Sequence, residues 1–195
     1  YYQDLMREGV HNNWSGKGRP QGTTGRCMVF ITPDAERTMN THLGITSTFS
    51  KLEVDEEIIK NSKILYIEGY LVSSPHGREA AIHAKTLAER YGVKTALPFS
   101  DSSMPIYFNE GLLEVIGSGV DLLFCNESEA KIFTAQDVLE DAFRDLKKYA
   151  RTFAITQGPK GALLFDGDKE IDVVTSQVEA IDTNGAGDLF AGAFL

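Results

Sequence analysis

From about residue 50 to its end, the chain alternates short apolar runs with segments of helical spacing, and few architectures accept that rhythm. Residues 64–68, 93–97, 120–125 and 152–156 read as strands. Helices are predicted over 54–61, 75–91, 106–116, 128–133 and 135–149, with another opening at 186. The 75–91 segment carries the clearest signals: Ser74 as cap, Pro75 in the first helical position, and Ala80, Ala84, Leu87, Ala88 and Tyr91 at helical spacing. Short apolar strands linked by helices predict an α/β fold of three layers, α/β/α, around a mostly parallel sheet. On such a sheet, ligands sit at the carboxyl ends of the strands. Asn126, Thr156 and the loop 182–188 all fall at that edge.

What precedes residue 50 has a different pattern. Residues 1–9 read as the end of a helix closed by Gly9, and 12–26 as a glycine-rich polar loop. Residues 27–32 and 37–41 read as a hairpin turning at 33–36, and 162–165 with 171–174 as a second hairpin around Asp166-Gly167-Asp168. The expected division is a helix over 1–12, a β-hairpin segment over 13–48, and an α/β core over 49–195. The chain starts without methionine and stops inside an apolar helical pattern, so a piece of a longer domain, cut at both ends, is expected.

A formal net charge of −9 argues against nucleic acid or an anionic membrane as partner, since both demand a basic face. No apolar run is long enough to span a bilayer. Cys27 and Cys125 lack CxxC spacing, and His11, His42, His76 and His83 form no ligand-like pair; reduced thiols in a cytoplasmic protein are expected.

The chemistry concentrates in Asp182-Thr183-Asn184-Gly185-Ala186-Gly187-Asp188. Gly185 and Gly187 let the backbone bend and approach a ligand closely. A helix starts at once, and its first N–H groups lack intrahelical partners, which makes an anion pocket. Asp188 follows in the first turn, where a carboxylate can take the proton of an attacking hydroxyl beside that pocket. Phosphoryl transfer asks for this combination of positioning, charge stabilisation and a base. No GxxxxGK[ST] sequence is present, which disfavours a P-loop kinase, and no GxGxxG follows the first strand, which disfavours a dinucleotide oxidoreductase.

The same string matches the Asp-Thr-x-Gly-Ala-Gly-Asp signature of the PfkB (ribokinase-like) carbohydrate kinases; a chance match in a chain this long is on the order of one in 10⁵. Asn126-Glu127-Ser128-Glu129 fits that family's Asn-x-x-Glu motif, and Thr156-Gln157-Gly158-Pro159-Lys160-Gly161 its Thr-x-Gly-x-x-Gly nucleotide loop. Residues 24–39 resemble the lid hairpin of the adenosine kinases and their bacterial relatives, and Glu68-Gly69-Tyr70 the family's Gly-aromatic segment. The family's opening segment, with its sugar-binding aspartate and Gly-Gly-x-x-x-Asn signature, and its closing adenine-lining segment are not present in this sequence.

The resemblance implies a ribokinase-like fold with a small β lid, ATP and Mg²⁺ as cofactors, and a nucleoside or sugar as substrate. It implies Asp188 as base, the Gly185, Ala186 and Gly187 amides as phosphoryl donors, and Arg37 as the lid cation. Tyr70 would stack on the substrate. Asn126, Thr156, Gly158 and Gly161 would meet ATP, and Asn126 with Glu129 would organise the metal. Phosphorylation of the 5′-hydroxyl of a nucleoside, adenosine first, is the expected activity, by a monomer or homodimer. A sugar kinase of the same fold and a nucleoside-binding protein without turnover are the alternatives. Asn126 could also serve simply as a helix cap, Tyr70 as a packed aromatic, Arg37 as a solvated lid residue, and residues 156–161 as a turn.

Overall fold

A computed structural model of the chain describes residues 2–11, 21–33 and 37–195. Tyr1, most of the glycine-rich loop (12–20) and the tip of the first hairpin (34–36) lie outside the described residues. A short helix α1 (Tyr2–Arg7) runs into Gly9. Strands β1 (Arg26–Ile31) and β2 (Arg37–His42) form an antiparallel two-stranded sheet of their own, with Cys27 opposite Thr41 and Val29 opposite Met39. A 3₁₀ turn (Gly44–Thr48) leads into α2 (Glu56–Lys60), whose first amides are capped by Asp55.

The remainder is one six-stranded sheet in chain order: β3 (Ile64–Tyr66), β4 (Lys94–Pro98), β5 (Val120–Asn126), β6 (Ala150–Thr156), β7 (Ala162–Phe165) and β8 (Glu170–Val173). The first four are parallel; β7 and β8 return antiparallel. Helix α3 (Pro75–Tyr91) links β3 to β4. Helices α4 (Ser103–Tyr107) and α5 (Asn109–Ile116) link β4 to β5, and α6 (Glu127–Thr134) and α7 (Leu139–Leu146) link β5 to β6. Crossovers between parallel strands are right-handed. With every step taken in the same direction, all these helices land on one face. There Leu97, Phe99, Leu112, Ile116, Leu123, Phe153 and Ile155 are fully buried, and Phe99 packs on Phe133 at 4.5 Å between centroids.

Helix α8 (Ala186–Phe194) supplies the third layer. It meets the opposite face through Ala191, and through Phe190 and Phe194, which stand edge-on to Phe124 at 6.3 and 5.5 Å. The predicted α/β sheet, parallel through four strands and carrying a separate β hairpin, is therefore observed.

Two helices differ from expectation. The predicted 106–116 helix is two helices meeting at Phe108, whose φ of −130° leaves helical space. Ile106 and Tyr107, which extended the apparent stripe, point to solvent at 51% and 74% exposure, so the apolar period there belonged to two axes. The predicted 135–149 helix is only Leu139–Leu146, because Ala135 turns left-handed (φ 54°) to close α6.

Candidate active site

Gly185 enters α8 with φ +78°, a conformation glycine adopts freely, and carries no capping side chain. Asp182 Oδ1 accepts the Asn184 amide at 2.8 Å, and the Ala186 amide donates to Thr183 O at 3.2 Å. Intrahelical bonding starts with Leu189 N to Gly185 O at 2.9 Å. Of the three amides expected to meet a phosphoryl group, that of Ala186 is thus engaged in the turn. Gly187 stands one residue further into the first turn, where amides have no intrahelical acceptor, and a Cβ there would point into open space. Asp188 is exposed in that turn.

Asp188 lies within electrostatic reach of the end of β3. Its charge acts on Tyr66, Glu68 and Tyr70. Burial pushes the Tyr66 and Tyr70 phenols up to about 12, with the neighbouring carboxylates adding to the rise. Burial also lifts the Glu68 carboxyl above the usual range, opposed by a hydrogen bond from Ser100 and reinforced by Asp188. Strand β3 stops at Tyr66, short of the predicted 68, and a 3₁₀ turn (Gly69–Ser73) carries Tyr70 outward.

Between the hairpin and this turn lies a cavity of about 590 Å³. Cys27, Met39 and Thr41 line it from the hairpin, Glu68 and Tyr70 from the end of β3 and the turn that follows. The hairpin therefore stands over Tyr70 as a lid. Arg37, exposed at the start of β2, acts electrostatically on Tyr70 and on Glu129.

Asn126 ends β5 directly opposite Thr156, which ends β6. Asn126 Oδ1 accepts the Glu129 amide at 2.8 Å, and Glu129 Oε2 accepts the Asn126 amide at 2.9 Å, a reciprocal capping box. Glu129 is buried, and burial lifts its carboxyl. Among the described residues, no group of three His, Cys, Asp or Glu side chains is placed to hold a metal.

Thr156 Oγ1 donates to Cys125 O at 3.5 Å. Gly158 opens a 3₁₀ turn (Gly158–Lys160), and Gly161 closes it with φ +107° where an added Cβ would lie 1.9 Å from Val173 O. The Gln157 amide donates to Gly161 O at 2.8 Å, which shapes the loop.

Sequence reasoning left Ser100 and Asp101 out of the site, and named Glu68 only as part of a motif. Ser100 bonds to Glu68, and Asp101 acts on both Tyr70 and Glu129. The available signal was positional: both follow the apolar run of β4, at the same edge as Asn126 and Thr156.

Similarity to known proteins extends along the whole chain. The pfkB family carbohydrate kinase model matches residues 1–195. An uncharacterized sugar kinase of Archaeoglobus fulgidus is 25% identical, over 98% of this chain and 74% of its own length. The cytidine kinase of Thermococcus kodakarensis is 31% identical, over 78% of this chain and 53% of its own. The crystal structure of adenosine kinase from Sinorhizobium meliloti superposes with a TM-score of 0.88 at 32% identity, over 99% of this chain and 59% of that one. The chain thus spans between about half and three quarters of these relatives' lengths.

Proposed function

Given that the chain belongs to the PfkB family of carbohydrate kinases, we propose that it carries the lid and catalytic portion of an ATP-dependent kinase that phosphorylates the 5′-hydroxyl of a nucleoside, adenosine first. The observation that carries the reading is Asp188 in the first turn of α8, within electrostatic reach of Glu68 and Tyr70 at the wall of the cavity under the lid.

The acceptor lies under the hairpin, against the Tyr70 ring. Asp188 takes the proton of the attacking hydroxyl. The amides of Gly185 and Gly187 and the positive end of the α8 dipole meet the phosphoryl oxygens as charge builds on them. Arg37 brings a cation from the lid, which on closing excludes water. Thr156, Gly158 and Gly161 shape the loop that meets ATP, and Asn126 and Glu129 border the phosphates. Mg²⁺ bound to those phosphates would supply charge neutralisation. The reading of these side chains as ligands rests on their common edge and on the family motifs.

Charge supports a neutral acceptor. Glu68, Asp101 and Asp188 all act on Tyr70, with Arg37 as the opposing cation. An already phosphorylated sugar would meet net repulsion there. A free sugar remains the second reading, supported by the archaeal relative.

The test is a panel of adenosine, cytidine, inosine, ribose and fructose with Mg-ATP, run on the enzyme and on Asp188→Asn. Adenosine is expected as the preferred acceptor, and loss of the base should lower kcat by about 10²–10⁴-fold. Preference for a free sugar would overturn the substrate; undiminished turnover by Asp188→Asn would remove the base. Nucleoside binding without ATP consumption would point to a binding protein.

A further inference from the structure

Ser100 follows the buried end of β4 with φ +74°, a region that non-glycine residues rarely occupy. The other described case, Ala135, closes a helix. Ser100 closes none. Its hydroxyl instead reaches the segment that follows β3, where it accepts the Gly69 amide at 3.0 Å and donates to the Glu68 carboxylate. Its carbonyl accepts the Tyr70 hydroxyl at 3.5 Å. Glu68, Gly69 and Tyr70 are therefore all tied to one residue across the sheet edge. The approach is close: a Cβ on Gly69 would lie 2.4 Å from Pro98 O and 2.7 Å from Ser100 Oγ. Glu68 and Tyr70 are both wall residues of the cavity under the lid.

We propose that Ser100 is a positioning residue for the phosphoryl acceptor, holding Glu68 and Tyr70 as one rigid wall. A neutral polyol or nucleoside would then meet a carboxylate of fixed orientation beside a fixed aromatic face. The inference rests on this cavity being the acceptor site. Backbone strain kept at such a position is the mark of a constraint imposed by function rather than by packing.

Three groups bear on Glu68: Ser100, the Gly69 amide and, from α8, Asp188. Glu68 in turn acts on Tyr66 of β3 and on Tyr70, where Asp101 and Arg37 also act. The Ser100 hydrogen bond opposes the upward pull of burial on the Glu68 carboxyl. Removing the hydroxyl lifts that carboxyl further, so the pH at which acceptor capture fails on acidification moves upward.

The test is steady-state kinetics of the enzyme with Ser100→Ala and Ser100→Gly. Glycine adopts the left-handed conformation without strain, so that variant folds even if alanine is poorly tolerated. Both are expected to raise the acceptor KM about tenfold, because a hydrogen bond to a charged group is lost. The KM for ATP should stay within about twofold, and the acid limb of kcat/KM for the acceptor should shift to higher pH. A wild-type acceptor KM and an unmoved acid limb in Ser100→Gly would overturn the proposal. Asp188→Asn, run in parallel, separates the two readings. If it retains undiminished turnover, Asp188 is not the base and the proposed catalytic arrangement fails. If it is silent while Ser100→Gly behaves as wild type, only the role of Ser100 fails.

Discussion

Asn126 is the residue whose two possible roles are most cleanly separable. Its side-chain oxygen caps α6 by accepting the Glu129 amide at 2.8 Å. From the family motif, we also propose that it borders the phosphates of ATP. Replacing an N-cap asparagine by alanine costs about 1 kcal/mol. The second half of the capping box, Asn126 N to Glu129 Oε2 at 2.9 Å, uses the backbone and survives the substitution. For a chain this long, 1 kcal/mol moves Tm by about 2–4 °C. Serine caps as well as asparagine, so Asn126→Ser keeps the helix start and deletes only the amide. We expect Asn126→Ala to lose both Tm and activity. Asn126→Ser should melt within about 1 °C of wild type, yet lose about 10–100-fold in kcat/KM for ATP, as supporting residues of metal–phosphate networks do. Thermal melts followed by circular dichroism and an ADP-release assay at varied Mg-ATP report the two quantities separately. Wild-type values for Asn126→Ser in both would refute the assignment and leave Asn126 as a cap alone.

Gly161→Ala would drive a methyl group to 1.9 Å from Val173 O at φ +107°; we expect a loss of about 2–3 kcal/mol in urea unfolding, and a loss under about 0.5 kcal/mol would contradict the described turn. Tyr70→Phe removes only a long 3.5 Å hydrogen bond and should leave the acceptor KM within about threefold, whereas Tyr70→Ala should raise it at least tenfold if the ring stacks on a base; equal effects would argue against stacking. The folded-state pKa of Glu68 is raised. Its contribution to stability is therefore full below the ordinary glutamate range and is lost as pH rises through the raised value. Glu68→Gln should thus gain in Tm relative to wild type across that window and then level off, and a difference that does not change with pH would contradict the burial of the carboxyl.

The parts legible in the sequence were those specified by neighbours along the chain. Helix α3 matches its prediction to the residue because Ser74, Pro75 and the apolar spacing are all local. The turn before α8 was legible for the same reason: Gly185, with its positive φ, sets it locally. The kink at Phe108 was not, since two short helices and one long one share the same apolar count. The Ser100–Glu68 bond joins residues 32 apart in sequence. Only the pairing of β3 with β4 brings them together, and composition around Ser100 carries no trace of it. Asn126 was legible as a possible helix cap, while its reciprocal capping box with Glu129 became visible only in the geometry.

The nine residues of α8 join the two functions of the third layer. At about 1.5 Å per residue the helix is roughly 13 Å long, a stiff lever with Asp188, the proposed proton acceptor, at its head. Its tail is pinned by two phenylalanines against a single ring on the sheet, Phe124. Thinning that pin, by exchanging Phe194 or Phe124 for a smaller side chain, would swing the head without altering any atom near the chemistry. Variants selected for altered turnover should therefore include changes at this distant fulcrum.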